Sequence, residues 1–190
     1  MTTARRAWLE ALVGALDPGR DLVVAGLGAN ARYLPHLDVR APHFALCDSM
    51  GAAIPLGLGM ALARPDRRVV VLEGDGSLLM NLGTLATVGA ARPDNLVATV
   101  FENARYESSG GQALPEVRVD FVAIARAVAF PVAERLAEAR ELPAALARGW
   151  ASGGPALLAL PTAFDPAEPI PPYSQRPAEI RLNFARALGR

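Results

Sequence analysis

Asp75 stands between two glycines, Gly74 and Gly76, and Asn103 follows 28 positions later, directly after Glu102. A carboxylate and a neutral amide oxygen are hard ligands. They suit a divalent cation such as Mg²⁺, which fills its remaining positions with phosphate oxygens and water. Glycine on both sides of Asp75 lets backbone approach a bulky anion closely. Ser77 is expected to cap a helix whose first N–H groups face that anion. The pattern predicts a metal–diphosphate site that works without lysine, since all nineteen cationic residues are arginine. The competing reading of a lone Gly-Asp-Gly is a tight turn after a strand.

For Asp75 and Asn103 to meet, the apolar runs before them, 68–73 and 96–101, must be neighbouring parallel strands joined by a right-handed helical crossover. A single helix over 78–91 would serve. The rest of the chain repeats the theme. An amphipathic helix around Trp8 to Leu16 is followed by an apolar strand at 21–26 and a glycine turn at 26–28. A short helix capped by Asn30 runs to about Leu37, a strand spans 43–46, and a buried helix spans Met50 to Leu62. Beyond the polar loop from 103 to about 117 come a helix at 120–128, a strand near 130–132, a helix at 141–150 and a strand at 155–160. Five prolines mark 165–177 as an extended surface segment before a final helix at 178–188. Apolar strands alternating with helices predict an α/β fold: one domain over 1–190, a parallel sheet with helices on both faces.

Composition narrows the chemistry. With 190 residues and 52% hydrophobic content the chain builds a sizeable core. Zero formal charge argues against a nucleic-acid partner. One cysteine, Cys47, excludes an internal disulfide, a Cys-based zinc site and an iron–sulfur cluster held by this chain alone. The absence of lysine excludes Schiff-base and P-loop chemistry. The N-terminal stretch lacks a pure apolar signal core, and the run 54–63 is too short to span a bilayer, so a soluble cytoplasmic protein is expected.

The stretch GDGSLLMNLGTLATVGAARPDNLVATVFENARYESSGGQ resembles the thiamin-diphosphate-binding fold. HFALCDSMGAAIPLGLGMALARPDRRVVVLEGDGS and the tail EPIPPYSQRPAEIRLNFARAL resemble the sulfopyruvate decarboxylase β subunit and the phosphonopyruvate decarboxylases. The resemblance covers nearly the whole chain. It implies that Asp75 and Asn103 ligate Mg²⁺ by side chain and Arg105 by its carbonyl. It implies that Gly74, Gly76 and Ser77 touch the diphosphate, with Gly28 and Ala29 approaching from the first strand. Ser49 and Met50 of the Ser-Met-Gly element, with the backbone of Asp48, would meet the thiamin ring system, and Met50 would hold the cofactor bent. Tyr106, of the Asn-x-x-Tyr element, joins the cofactor set. The glutamate that activates thiamin diphosphate comes, in this superfamily, from a second, pyrimidine-binding domain. The resemblance therefore implies a partner subunit, no catalytic residue of that kind in this chain, and a site at the interface. The implied activity is decarboxylation of a small 2-oxoacid. Carboligation of the acetolactate-synthase kind and a non-catalytic cofactor-binding scaffold are the alternatives.

The chain departs from the family at Glu102, where Asn or Asp is usual, and at Arg105, where a small residue is common. The Arg105 guanidinium is able to pair with an anionic substrate tail, such as a sulfonate or phosphonate. The loop 106–112 is expected to cover the cofactor. Glu73 is read as hydrogen-bonding nearby backbone or supporting the metal from behind, His43 as an ordinary loop histidine near the cleft, and Cys47 as a buried, inert thiol.

Overall fold

The structure, a computed structural model, describes residues 2–115 and 119–189. The elements run α1 (Arg5–Ala15), β1 (Asp21–Ala25), α2 (Ala29–Tyr33), β2 (His43–Ala45), α3 (Ala53–Ala63), β3 (Arg68–Gly74), α4 (Asp75–Leu79) and α5 (Thr84–Ala91). Then follow β4 (Leu96–Glu102), β5 (Arg105–Tyr106), β6 (Gln112–Ala113), α6 (Phe121–Ala127), β7 (Val132–Arg135), α7 (Leu142–Ala151), β8 (Ala156–Pro161) and α8 (Pro177–Ala187). Six strands form one sheet in the order β2-β1-β3-β4-β8-β7, all neighbours parallel.

The parallel α/β expectation holds, and the strand sequences explain it. Side chains alternate across a strand, so a strand buried on both faces must be apolar throughout. In β3, Val70 and Leu72 join the core under α1, α2, α7 and α8, while Val69 and Val71 join the core under α3, α5 and α6. β1 divides in the same way, with Val23 and Ala25 on the first face and Leu22 and Val24 on the second.

Several boundaries differ from expectation. The single helix expected over 78–91 is two, α4 and α5, with turns between. Asn81 sits at the break and spends its side chain on the Gly51 carbonyl, Nδ2 donating at 3.0 Å. Gly51 has φ +78, and a Cβ there would lie 2.7 Å from the Asn81 Cβ, so only glycine allows this approach. Ser77 does not cap a helix. It lies inside α4, and its hydroxyl accepts the Gly51 N–H at 2.7 Å. Asn30 likewise lies within α2, whose flanking residue is Gly28. The buried helix begins at Ala53, not Met50. The loop after Asn103 contains the small β5–β6 hairpin, and its last expected residues, 116–118, fall outside those described.

The proline-rich segment is extended but tied down. Arg32 donates to the Pro171 carbonyl through Nε and to the Ile170 carbonyl through Nη2 at 3.1 Å. Tyr33 donates to the Pro169 carbonyl at 3.0 Å. α8 then seats Ile180 and Phe184 on the sheet's first face, Phe184 meeting Phe44 edge-on at 5.6 Å between centroids.

Candidate functional site

From β1 the chain steps to β2 on one side and then returns to β3 on the other, so the strand order reverses between β1 and β3. Open parallel sheets bind ligands outside the carboxyl ends of their strands at such a reversal. Here the carboxyl end of β1 carries Gly26 to Gly28, that of β3 carries Gly74 and Asp75, and β4 beside it ends at Glu102 and Asn103. One cleft lies over these ends.

The structure brings ten of the twelve expected site residues to that cleft. Gly28 and Ala29 line it from β1, and Met50 from the loop before α3. Gly74, Asp75, Gly76 and Ser77 line it from β3 and α4, and Asn103, Arg105 and Tyr106 from the far side. Asp48 and Ser49 are outside the lining set; both are exposed, and Asp48 Oδ1 accepts its neighbour's N–H at 2.6 Å.

Asp75 is buried, at 3% exposure. Its Oδ1 accepts the Gly76 N–H at 2.8 Å and its Oδ2 accepts the Ala104 N–H at 2.7 Å. Ala104 adopts φ +57 to present that N–H, an uncommon conformation for a residue with a Cβ. Among the described residues no side-chain cation pairs with Asp75. Burial accordingly pushes its carboxyl up to about 6, against the two amide bonds, which favour the charged form. A carboxylate carries about four acceptor sites, so each oxygen keeps one free for a cation.

Asn103 Oδ1 accepts the Arg105 N–H at 3.0 Å, and its Nδ2 donates to Glu107 Oε2 at 3.2 Å. Glu107 in turn is gripped by Arg5 from α1, Nη1 to Oε1 at 3.0 Å and Nη2 to Oε2 at 2.5 Å. Arg105 itself is exposed. Its guanidinium lies 5.5 Å from the Phe164 ring centroid and reaches the Gly111 carbonyl at 3.4 Å.

The two glycines around Asp75 have different reasons. A Cβ on Gly76 would meet Tyr106 Cδ1 at 2.7 Å, so its missing side chain makes room for the Tyr106 ring. Gly74 has open space, with only Ser77 Cβ near, at 3.9 Å. Because α4 has five residues, its backbone offers a few N–H groups and little helix dipole. At Gly28, φ is +96, and its N–H donates to Tyr173 Oη at 3.1 Å.

Glu102 points elsewhere: Arg135 binds it through two contacts of 2.9 Å, which accounts for the longer side chain beside Asn103. Glu73 is buried, accepts the Gly74 N–H at 3.2 Å through Oε1 and leaves Oε2 without a partner among the described residues. Burial raises its carboxyl above the ordinary range. His43 does not line the cleft, and burial lowers its pKa. Cys47 is half-buried rather than fully enclosed, and desolvation raises its thiol.

The chain matches the profile of the family described as thiamine pyrophosphate enzyme, C-terminal TPP binding domain, over residues 28–160. It belongs to that family. Among its relatives is a phosphonopyruvate decarboxylase of Streptomyces hygroscopicus, 43% identical over 157 residues, spanning 83% of this chain and 39% of the relative. The sulfopyruvate decarboxylase subunit beta of Methanothermobacter thermautotrophicus is 40% identical over 124 residues, 65% of each chain. Of solved structures, the benzoylformate decarboxylase of Polynucleobacter necessarius superposes with TM-score 0.70 at 21% identity, over 86% of this chain and 34% of that one. This last likeness speaks to the fold. The chain thus spans less than half of the phosphonopyruvate decarboxylases it matches. The thiamine pyrophosphate family match begins at Gly28, and so includes Gly28, Asp75 and Asn103 but not Arg5.

Arg5, Glu107 and Tyr173 were not among the expected site residues. Arg5 lies ahead of the helix expected around Trp8 to Leu16, and nothing in its spacing ties it to Glu107, 102 positions away. Glu107 falls in the loop expected to cover the site, so that segment was legible while the residue's role was not.

Proposed function

We propose that the cleft holds thiamin diphosphate with Mg²⁺, and that the chain is the diphosphate-binding half of a 2-oxoacid decarboxylase. The observation that carries this is Asp75: a buried carboxylate with no side-chain cation among the described residues, lining one cleft with Asn103 in a thiamine pyrophosphate enzyme domain. A divalent cation would satisfy both. Asp75 and Asn103 would ligate it by side chain and Arg105 by its carbonyl, with the open face of Gly74 and the Gly28 turn left for the diphosphate.

When bound, thiamin diphosphate supplies the electron sink that lets a 2-oxoacid lose carbon dioxide. The chain's own role is to hold and orient. Asp75 would compensate the cation's charge, the Gly28 turn and the backbone around Gly76 would set the position of the phosphates, and Met50, in the cleft lining, would support the ring system. Of the carboxylates lining the cleft, Asp75 would be taken up by the cation and Glu107 is paired with Arg5, so the activating glutamate would come from a pyrimidine-binding partner subunit. Names of the relatives that include a subunit beta support that arrangement. They also favour a substrate of the sulfopyruvate or phosphonopyruvate class, for which exposed Arg105 at the cleft rim offers a guanidinium to the second anionic group.

The test is calorimetry of thiamin diphosphate binding with and without Mg²⁺, on the protein purified from its own cells with any partner it carries. Asp75→Ala should abolish the Mg²⁺-dependent binding and leave the urea midpoint near that of the parent. Unchanged affinity would overturn the metal assignment. Carbon dioxide release from sulfopyruvate or phosphonopyruvate supports the substrate class. Turnover of pyruvate alone, or acetolactate formation instead, would reject it.

A further inference from the structure

We propose that Arg5 and Glu107 are positioning residues that decide which end of the Asn103 amide faces the cation, an inference that rests on the Mg²⁺ reading above. The two ends of a side-chain amide are nearly the same size, and only one of them, the oxygen, ligates a hard cation. The two ends of Asn103 meet opposite partners. Its Nδ2 meets Glu107 Oε2 at 3.2 Å, and a carboxylate only accepts. Its Oδ1 meets the Arg105 N–H at 3.0 Å, and a backbone N–H only donates. Turning the amide over would set oxygen against carboxylate at one end and NH₂ against N–H at the other. The oxygen is therefore selected twice, and its second lone pair stays free.

Arg5 makes the selection firm. Its side chain is 3% exposed and that of Glu107 is 15% exposed, and the two are joined by a two-point pair at 3.0 and 2.5 Å. A bidentate guanidinium fixes the carboxylate plane. It also cancels the charge of Glu107, which alone would repel a diphosphate in the same cleft. Arg5 belongs to α1 and Glu107 to the turn after β5, so the relay couples the first helix to the ligand loop.

A buried ion pair exchanged for apolar residues of similar volume is often close to neutral for stability. The double variant Arg5→Met/Glu107→Leu therefore removes the relay without leaving an unpaired charge. The measurement is Mn²⁺ binding, followed by electron paramagnetic resonance at saturating thiamin diphosphate, on the protein with any partner it carries. The double variant should keep the parent's urea midpoint and lose about 10-fold or more in Mn²⁺ affinity, the range typical for groups that orient a metal ligand. Asp75→Ala is the reference. If it loses Mn²⁺ while the folded double variant keeps parental affinity, the relay is wrong and the site reading stands. If Asp75→Ala keeps Mn²⁺, the site reading fails and takes the relay with it. Should the double variant not fold, the parent protein decides. The Asn103 NH₂ signal, assigned by its loss in Asn103→Asp, should exchange slowly with water; rapid exchange overturns the relay.

Discussion

Replacing Tyr173 by Phe removes one oxygen and two hydrogen bonds. The Tyr173 hydroxyl accepts the Gly28 N–H at 3.1 Å and donates to the Leu46 carbonyl at 3.3 Å. It thereby fastens the tail to the turn after β1 and to the loop after β2 at once. At about 0.5–1.5 kcal/mol net for each bond, the two together are worth roughly 1–3 kcal/mol. The ring stays, and so does Arg32 at 5.7 Å from its centroid, so packing changes little. The loss falls on a peripheral strap and not on the sheet core, and it should appear as local opening more than as global unfolding. Hydrogen exchange is the assay. In Tyr173→Phe the Gly28 amide and residues 165–177 should exchange about 5- to 150-fold faster, the range that 1–3 kcal/mol gives, while amides of β3 and β4 stay as protected as before. Thiamin diphosphate affinity should fall in step, since Gly28 sits at φ +96 in the cleft wall. Unchanged exchange at Gly28 would refute the strap.

Two further outcomes test the fold. Gly89→Ala would set a Cβ 1.9 Å from the Val128 carbonyl oxygen, and because that atom is backbone it cannot step aside; urea denaturation should show a loss of at least ~2 kcal/mol, whereas Gly14→Ala, in open space on α1, should gain ~0.5–1 kcal/mol. The pKa of His43 is lowered by burial, with its hydrogen bond to the Ala41 carbonyl opposing, so the unfolded chain takes up the proton first and stability falls as pH drops below about 6.5. His43→Gln should flatten that fall in denaturation curves taken between pH 5 and 7, and an identical pH profile would exclude the histidine as its source.

How much of this was legible in the sequence depended on whether a feature is local. β3 and β4 were readable because a strand buried on both faces has to be an unbroken apolar run, and each is followed at once by a polar residue of the candidate site. Asp75 and Asn103 were readable because one crossover fixes their spacing. The break between α4 and α5 was not, because it depends on Asn81 reaching a carbonyl 30 residues earlier. The role given to Ser77 failed for the same reason: its partner is the Gly51 N–H, not its own helix. Gly76 was recognised as a necessary glycine, but the cause is the Tyr106 ring, which a local reading of the turn does not contain.

The features that escaped share a geometry. Arg5 reaches Glu107 from α1, and Tyr173 reaches Gly28 from the segment before α8. The residues that face the cleft lie on short elements and turns at the strand ends, and such segments hold a shape only when something outside them pins it. On one side of the cleft the pin is a guanidinium from the first helix; on the other it is a phenol from the proline-rich tail. The tail makes a good anchor. Prolines limit its backbone, and Arg32 and Tyr33 hold three of its carbonyls, so Tyr173 is presented at little entropic cost. The sheet therefore sets where the site lies, while the two outer segments set how rigidly its loops are held. Changes in α1 or in residues 165–177 should then reach ligand binding before they reach the stability of the core.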